Sequence, residues 1–254
     1  MEYIKENQRI WDERSENNDI WSIPVTSEQV KRAREGNWQI VLTPTKPVPD
    51  NWFPEELKGK KLLCLAGGGG QQGPILAAAG ADVTVFDNSL KQLEKDAFVA
   101  RRDGLNIQTV QGNMQDLSVF PDESFDCIVH PWSNGYVDNV LPVWKECARV
   151  LKKKGLLLAG FGNPIEHIFH VGKLVQGILS VENTIPYADM DHMDDPDTRR
   201  EVESGGYLWS HTLEDQIQGQ IAAGFAIVGF YEDIGGTALD QYINSSIATK
   251  AIKL

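Results

Sequence analysis

The segment Leu62-Leu-Cys-Leu-Ala-Gly-Gly-Gly-Gly-Gln-Gln-Gly73 constrains this chain more than any other. A short apolar run leads into four consecutive glycines, and Pro74–Ala79 then has the composition of a helix start. Proline suits a first helical turn, because its missing N–H has no intrahelical partner there. Backbone without Cβ atoms turns sharply and meets a ligand at contact distance. The helix that follows aims free N–H groups and its positive dipole end at the same place. One or two glycines suffice for a tight strand-to-helix turn, so four in a row point to ligand binding.

The flanking pattern extends this unit. Asp82–Phe86 reads as a second strand ending at Asp87, and Ser89 as the N-cap of a helix reaching about Arg102. Ile107–Val110 and Phe125–His130 read as the third and fourth strands. A helix is expected over Val137–Leu151, ended by Gly155, with a fifth strand over Leu156–Phe161. Strands alternating with helices imply an α/β, doubly wound, mostly parallel sheet covered on both faces. After an insertion rich in Asp, Gly and Pro come a helix at Thr212–Ala223 and strands at Ala226–Glu232 and Ser245–Ile252. The last two are joined as a hairpin. Upstream, residues 1–20 read as a polar helix. Residues 21–56 hold five of the twelve prolines together with Trp21, Trp38 and Trp52, and read as an ordered but irregular arm. The expected organisation is therefore one domain. It has an N-terminal arm at 1–59, a ligand-binding core at 60–162, a lid insertion at 163–210, and a closing helix and hairpin at 211–254.

Charge narrows the partners. The 254 residues carry 24 Lys and Arg against 36 Asp and Glu, a net charge of −12. Such a field repels nucleic acid backbones and anionic lipid surfaces, so neither is an expected partner. No apolar run approaches the ~20 residues that cross a bilayer. The polar, acidic start is unlike a targeting peptide. Cys64, Cys127 and Cys147 have no metal-ligand spacing and read as buried reduced thiols, which together suggest a cytoplasmic protein.

Two ligand classes fit the glycine loop. Gly68-x-Gly70-x-x-Gly73 matches the dinucleotide fingerprint, with Asp87 placed to hold a ribose. S-adenosylmethionine (SAM) also has a ribose for Asp87, but carries an amino-acid tail and a sulfonium in place of a pyrophosphate. Further motifs follow in order: Gly112-Asn-Met-Gln-Asp-Leu117, Phe120-Pro-Asp-Glu-Ser-Phe-Asp126 and Arg149-Val-Leu-Lys-Lys-Lys-Gly155. On these, residues 60–162 resemble the class I, seven-stranded SAM-dependent methyltransferases, and the closing hairpin is similar to that family's antiparallel last strand. Gln71, Gln72 and His130-Pro-Trp-Ser-Asn134 resemble a bacterial subgroup of the family. The chain departs from the family at Cys64 (often an acid), Ala66 (often glycine), Asn113 (often aspartate), Lys154 and Leu156.

The resemblance implies SAM as cofactor, S-adenosylhomocysteine (SAH) as product, and a small-molecule acceptor, in a monomer or homodimer. It implies that Ala66, Gly67, Gly68, Gly69 and Gly70 wrap the methionine part, with Gln71 and Gln72 beside them. Asp87 would hold the ribose hydroxyls, with Asn88 and Ser89 adjacent. Asn113, Met114 and Gln115 would flank the adenine, and His130 and Pro131 would end the fourth strand at the ligand edge. Methyl transfer is an in-line displacement with an activated leaving group, so alignment carries much of the rate. If a base is needed, His130 and His211 are the candidates. Trp11, Trp21, Trp132 and Trp209 are candidates to face the cationic sulfonium or the acceptor. An NAD-dependent oxidoreductase and a non-catalytic SAM-binding protein remain as alternatives. No metal is expected: Glu166-His-Ile-Phe-His170 lacks an evident third ligand, and Asp189–Asp195 reads as a solvated acidic loop.

Overall fold

The computed structural model describes residues 2–254. Its centre is a seven-stranded sheet made of β1 (Lys61–Leu65), β2 (Asp82–Asp87), β3 (Ile107–Gln111), β4 (Phe125–His130), β5 (Leu151–Gly162), β6 (Phe225–Asp233) and β7 (Ser246–Lys253). The order is β3-β2-β1-β4-β5-β7-β6. The first five strands are parallel, and β7 inserts antiparallel between β5 and β6. An all-parallel dinucleotide fold runs 3-2-1-4-5-6 instead. The hairpin of β6 and β7 therefore separates the two readings of the glycine loop.

The strands are apolar because both faces are covered. Leu62, Cys64, Val83 and Val85 pack on one side against α3 (Gln72–Ala78) and α4 (Leu90–Asp103). Leu63, Leu65, Ile128 and Leu157 pack on the other against Val143, Trp144 and Cys147 of α5 (Leu141–Val150). All three cysteines are buried and free. Ser89 caps α4 as expected, accepting from Gln92 N, and Gly104 ends that helix at φ 63.

Two boundaries differ from expectation. The helix before β5 begins at Leu141, after a 3-10 turn at Asn134–Tyr136, and stops at Val150, one residue before the expected Leu151, with no turn at Gly155 ahead of the strand. Strand β5 starts at once. Phe125 pairs with Leu151 and Cys127 with Leu156, so the lysine-rich residues between them bulge out of the ladder. Lys154 takes φ 62, and Lys152 Nζ reaches Asp126 at 2.9 Å. The basic turn is thus a charged bulge inside a strand.

The N-terminal arm is more regular than its prolines suggest. Helix α1 (Glu2–Glu16) is followed by α2 (Ser27–Arg34), which opens on a capping box between Thr26 and Gln29. Val30, Ala33, Ile40, Leu42, Trp52 and Phe53 are buried in the same cluster as β1 and β2, so the arm completes a face of the core. Its backbone lies directly on the sheet: a Cβ on Gly160 of β5 would stand 2.0 Å from the Leu42 carbonyl oxygen. The insertion after β5 holds α6 (Val171–Val175) and α7 (Pro196–Gly205), the latter capped by Asp195. A π-helical turn at Glu214–Gln218 runs into α8 (Gly219–Ala222), ahead of β6.

Candidate active site

A cavity of about 340 Å³ opens along the carboxyl edge of the sheet, within the ~300–1,000 Å³ that small ligands occupy. It starts at Asp87, which ends β2, and passes Ala66, Gly67 and Gly68 after β1 and Pro131, Trp132 and Ser133 after β4. It reaches Ser246, the residue of β7 paired with Gly162 at the end of β5. One half therefore faces the glycine loop. The other faces β5, β7 and the segments that follow them. Helix α1 covers the first half with Ile4, Asn7, Gln8, Trp11 and Arg14; arm residues Val41–Pro44 cover the second.

The glycine loop divides by role. Ala66, Gly67 and Gly68 line the cavity. Gly69 and Gly70 take φ 109 and 73 and turn away from it. A Cβ on Gly69 would lie 2.6 Å from the Trp21 carbonyl oxygen, so the third glycine exists to let the arm dock. The N–H groups of Gly69 and Gly70 both donate to Asp96 Oδ2 at 3.0 Å. Asp96 was not singled out by the sequence, although it lies one helical turn past Gln92 on α4. Burial, with a contribution from nearby Asp87, pushes its carboxyl up to about 8 against the pull of those N–H donors. Ala66 has φ 48, the left-handed region where the family's usual glycine is unstrained.

Asp87 joins the loop to the next helix. Its Oδ2 accepts from Gly68 N at 3.0 Å and its Oδ1 from Ser89 N at 2.9 Å. Two donors leave lone pairs on both oxygens for a ligand. Burial raises its carboxyl above the usual range, opposed by these backbone bonds. Ser89 Oγ in turn donates to Asp12 of α1 at 2.6 Å, which fixes the cover over the site. Asn88 lines the cavity but spends its side-chain amide on the Ile4 carbonyl, 2.9 Å away.

Of the remaining candidates, Gln71, Gln72, Asn113, Met114 and Pro131 line the cavity, as do Trp11, Trp21 and Trp132. Gln115 does not. It bonds Asp138 and the Asn139 carbonyl and braces the loop after β3. Trp209 packs at a tilt against Tyr3, ring centroids 4.7 Å apart, outside the lining. Neither histidine reaches the cavity. His130 is fully buried, its Nδ1 2.9 Å from the Leu65 carbonyl and its Nε2 2.6 Å from the Asn134 amide. Burial lowers its pKa, which keeps the ring neutral. His211 is also buried and bonds the Asn134 carbonyl at 3.0 Å. Both are structural in this arrangement, because a ring between β4 and α5, or under residues 134–136, is held by the packing that defines those elements.

The paired histidines after β5 diverge. His167 faces Tyr187, whereas His170 caps α6 and stands 3.6 Å from Asp195. His170, Asp195 and Asp197 bring ligand-type atoms within 4.8 Å, but Asp195 also accepts from Thr198 and Asp197 pairs with Arg200. Asp189 is not solvated: it is buried and accepts from Leu208 N at 2.8 Å.

Two further cavity groups were not among the residues expected to line the site. Gln92 Oε1 is buried at the glycine-loop half without a hydrogen-bond partner. Glu166 stands at the other half, among Gly235, Ser246 and Trp132. Burial first, then the charge of Asp240, pushes its carboxyl up to about 7.

Residues 63–159 match the methyltransferase domain family. A Bacillus subtilis relative described as an uncharacterised methyltransferase, YbaJ, is 53% identical over 252 residues, covering 99% of this chain and 98% of its own. The chain belongs to the class I SAM-dependent methyltransferase superfamily. A solved SAM-dependent methyltransferase from Mesorhizobium loti shares this methyltransferase fold, with TM-score 0.61 at 18% identity over 80% of this chain and 94% of that one. The [4+2]-cyclase SpnF does so as well, with TM-score 0.55 at 17% identity over 89% and 81%. The methyltransferase fold thus hosts more than one reaction, and substrate must be argued from the site. Membership sets aside the oxidoreductase reading. Among the described residues no helix is long and apolar enough to cross a membrane.

Proposed function

We propose that this methyltransferase binds SAM along the glycine-loop half of the cavity and methylates a small molecule held in the other half. The observation that carries the reading is the continuity of one cavity from Asp87 to Glu166, across the carboxyl ends of β2, β1, β4 and β5. The residues fit the cofactor's chemistry. SAM presents hydrogen-bond donors on its ribose, adenine and ammonium groups. The glycine-loop half offers acceptors in the free lone pairs of Asp87. Phe86 and Met114 supply apolar surface for a planar base.

When bound, SAM supplies a methyl group already activated on a sulfonium. The protein's task is then alignment and exclusion of water. Helix α1, held on α4 through Asp12 and Ser89, closes one half, and Val41–Pro44, pinned on β6, close the other. Asp233 does the pinning, accepting from Thr43 Oγ1 at 2.8 Å, Thr45 Oγ1 at 2.6 Å and Lys46 N at 2.8 Å. Burial alone would raise the Asp233 pKa, but these donors overcome it and hold it at about 2. The arm and the 163–210 insertion enclose the acceptor, and the enclosure favours a catalyst over a sensor. The acidic chain favours a small acceptor over nucleic acid.

Calorimetry tests this reading. SAM and SAH should bind the purified protein with one-to-one stoichiometry and NADH should not. Absence of SAM binding, or tighter binding of NADH, overturns it.

A further inference from the structure

We propose that Glu166 is the acceptor-binding and proton-accepting group of the site, and that the acceptor is a primary or secondary amine. This inference rests on the SAM reading and adds the class of molecule that receives the methyl group.

The geometry comes first. Glu166 follows Asn163 in the 3-10 turn after β5, where Asn163 Oδ1 accepts from Ile165 N and fixes the start of the turn. The turn carries the carboxyl into the cavity from the side opposite Asp87. Its Oε2 lies 3.8 Å from where a Cβ on Gly235 would be. A side chain at that position would therefore narrow the space beside the carboxyl. Among the described residues the carboxyl makes no salt bridge and no side-chain hydrogen bond, although it is largely buried. The residue lines the cavity, so a ligand bound there can supply the partner that the protein does not.

The charges around it choose the ligand. Asp240 faces it from the segment joining β6 and β7, held there by Gly235 N, Gly236 N and Ser245 Oγ. His167, next along the turn, is buried, and burial lowers its pKa to about 4, so it brings no charge. The one cationic side chain among the described cavity-lining residues is Arg14. It belongs to the other half, paired with Asp19 at 2.8 Å and lying over the Trp11 ring at 4.3 Å. Acidic groups with no free cation repel carboxylates, phosphates and phenolates. They attract an ammonium.

The same carboxyl then serves the chemistry. An ammonium has no lone pair and cannot attack. The Glu166 carboxylate takes one proton from R–NH3+, leaving R–NH2. The freed nitrogen pair forms the N–C bond as the C–S bond breaks, with that electron pair remaining on sulfur. The products are the methylated ammonium, SAH and a protonated Glu166 that returns its proton to solvent. The bound ammonium pulls the carboxyl back down, so the proton transfer is uphill and is drawn forward as the freed nitrogen pair is consumed in the N–C bond.

The experiment is calorimetry on the SAH-loaded protein with n-butylamine, benzylamine and phenethylamine, against butanol, phenol and butyrate. At least one amine should bind, tightening as pH rises through 7. Glu166→Gln should weaken it tenfold or more and abolish that pH dependence, and Glu166→Asp should restore part of the affinity. SAH affinity should stay within twofold in both variants, which also shows that they fold. A 13C signal from the Glu166 carboxyl should titrate near 7 and move to lower pH when the amine binds. Failure of all three amines, equal binding by Glu166→Gln, or preference for phenol or butyrate overturns the proposal. Loss of SAH affinity in Glu166→Gln also overturns it, because Glu166 would then hold the cofactor's own ammonium. If SAH does not bind the wild-type protein, the SAM reading fails instead. The amine titration is then repeated on the free protein, where dependence on Glu166 still decides.

Discussion

Two aspartates organise the glycine loop, and they predict different things. Asp87 faces the cavity and keeps lone pairs for a ligand. Asp87→Ala should weaken SAM binding at least tenfold, about 1.4 kcal/mol or more, in a protein that still unfolds cooperatively; unchanged affinity in calorimetry removes the ribose assignment. Asp96 lies behind the loop, outside the cavity lining. Its carboxyl is raised to about 8 in the folded protein, chiefly by burial, against about 3.9 in an unfolded chain. Between those values the native state holds a proton that the unfolded state has lost, so stability falls as pH rises from about 4 to about 8. One such proton gives a slope of at most ~1.4 kcal/mol per pH unit. Asp96→Asn should flatten the dependence of the urea midpoint on pH over this range. An unaltered slope would show that Asp96 is ionised in the native protein.

At the scale of elements, the arm shows how a helix forms where proline density argues against one. Thr26-Ser-Glu-Gln29 is a capping box: Gln29 N donates to Thr26 Oγ1 at 3.3 Å, and Thr26 N to Gln29 Oε1 at 2.8 Å. That signal was present in the sequence but outweighed by the prolines, all of which lie outside α2. Val30 and Ala33 of this helix are buried against α3 and α4, so its stability is shared with the core. Thr26→Ala removes the cap and should cost about 1 kcal/mol, read as a lower midpoint in chemical denaturation. The β4–β5 junction teaches the converse. Arg149-Val-Leu-Lys-Lys-Lys-Gly155 reads as helix followed by turn. Lys152 instead pairs with Asp126 on the neighbouring strand, and this cross-strand contact holds the bulge against β4. No local pattern reports a partner 26 residues away.

At the scale of the molecule, the arm, the insertion and the sheet share one cavity, so a ligand there should couple all three. Tyr3 donates to Asp138 at 2.7 Å, Asn7 accepts from Tyr207 N at 2.7 Å, and Asp233 pins residues 43–46. SAH at 100 times its dissociation constant should add about 2.7 kcal/mol. For a chain of this size that is a rise in melting temperature of roughly 5–10 °C. Differential scanning fluorimetry reads it directly, and a flat response at high SAH would show that SAH does not bind the native protein in preference to the unfolded chain.

Much of this was legible in the sequence. The glycine run, Asp87, Ser89 and the strand at Phe125–His130 are set by local chemistry: φ freedom, helix capping and burial of apolar runs act on neighbours along the chain. They fixed the parallel core, the SAM-type loop and the first half of the cavity. What the chain alone did not show depended on which surfaces meet. The sequence placed His130 at the mouth because it ends a strand, but packing against Trp144 and Asn134 turned it inward. It gave Gly69 and Gly70 to the ligand, whereas they accommodate Trp21 and bond Asp96. It left Glu166 in a doubtful metal motif, and tertiary structure brought it to Gly235 and Ser246, some 70 to 80 residues away in the sequence. The physical reason is desolvation. Whether a carboxyl or an imidazole is buried, paired or open to a cavity depends on atoms from distant segments, and only the closed fold brings those atoms together.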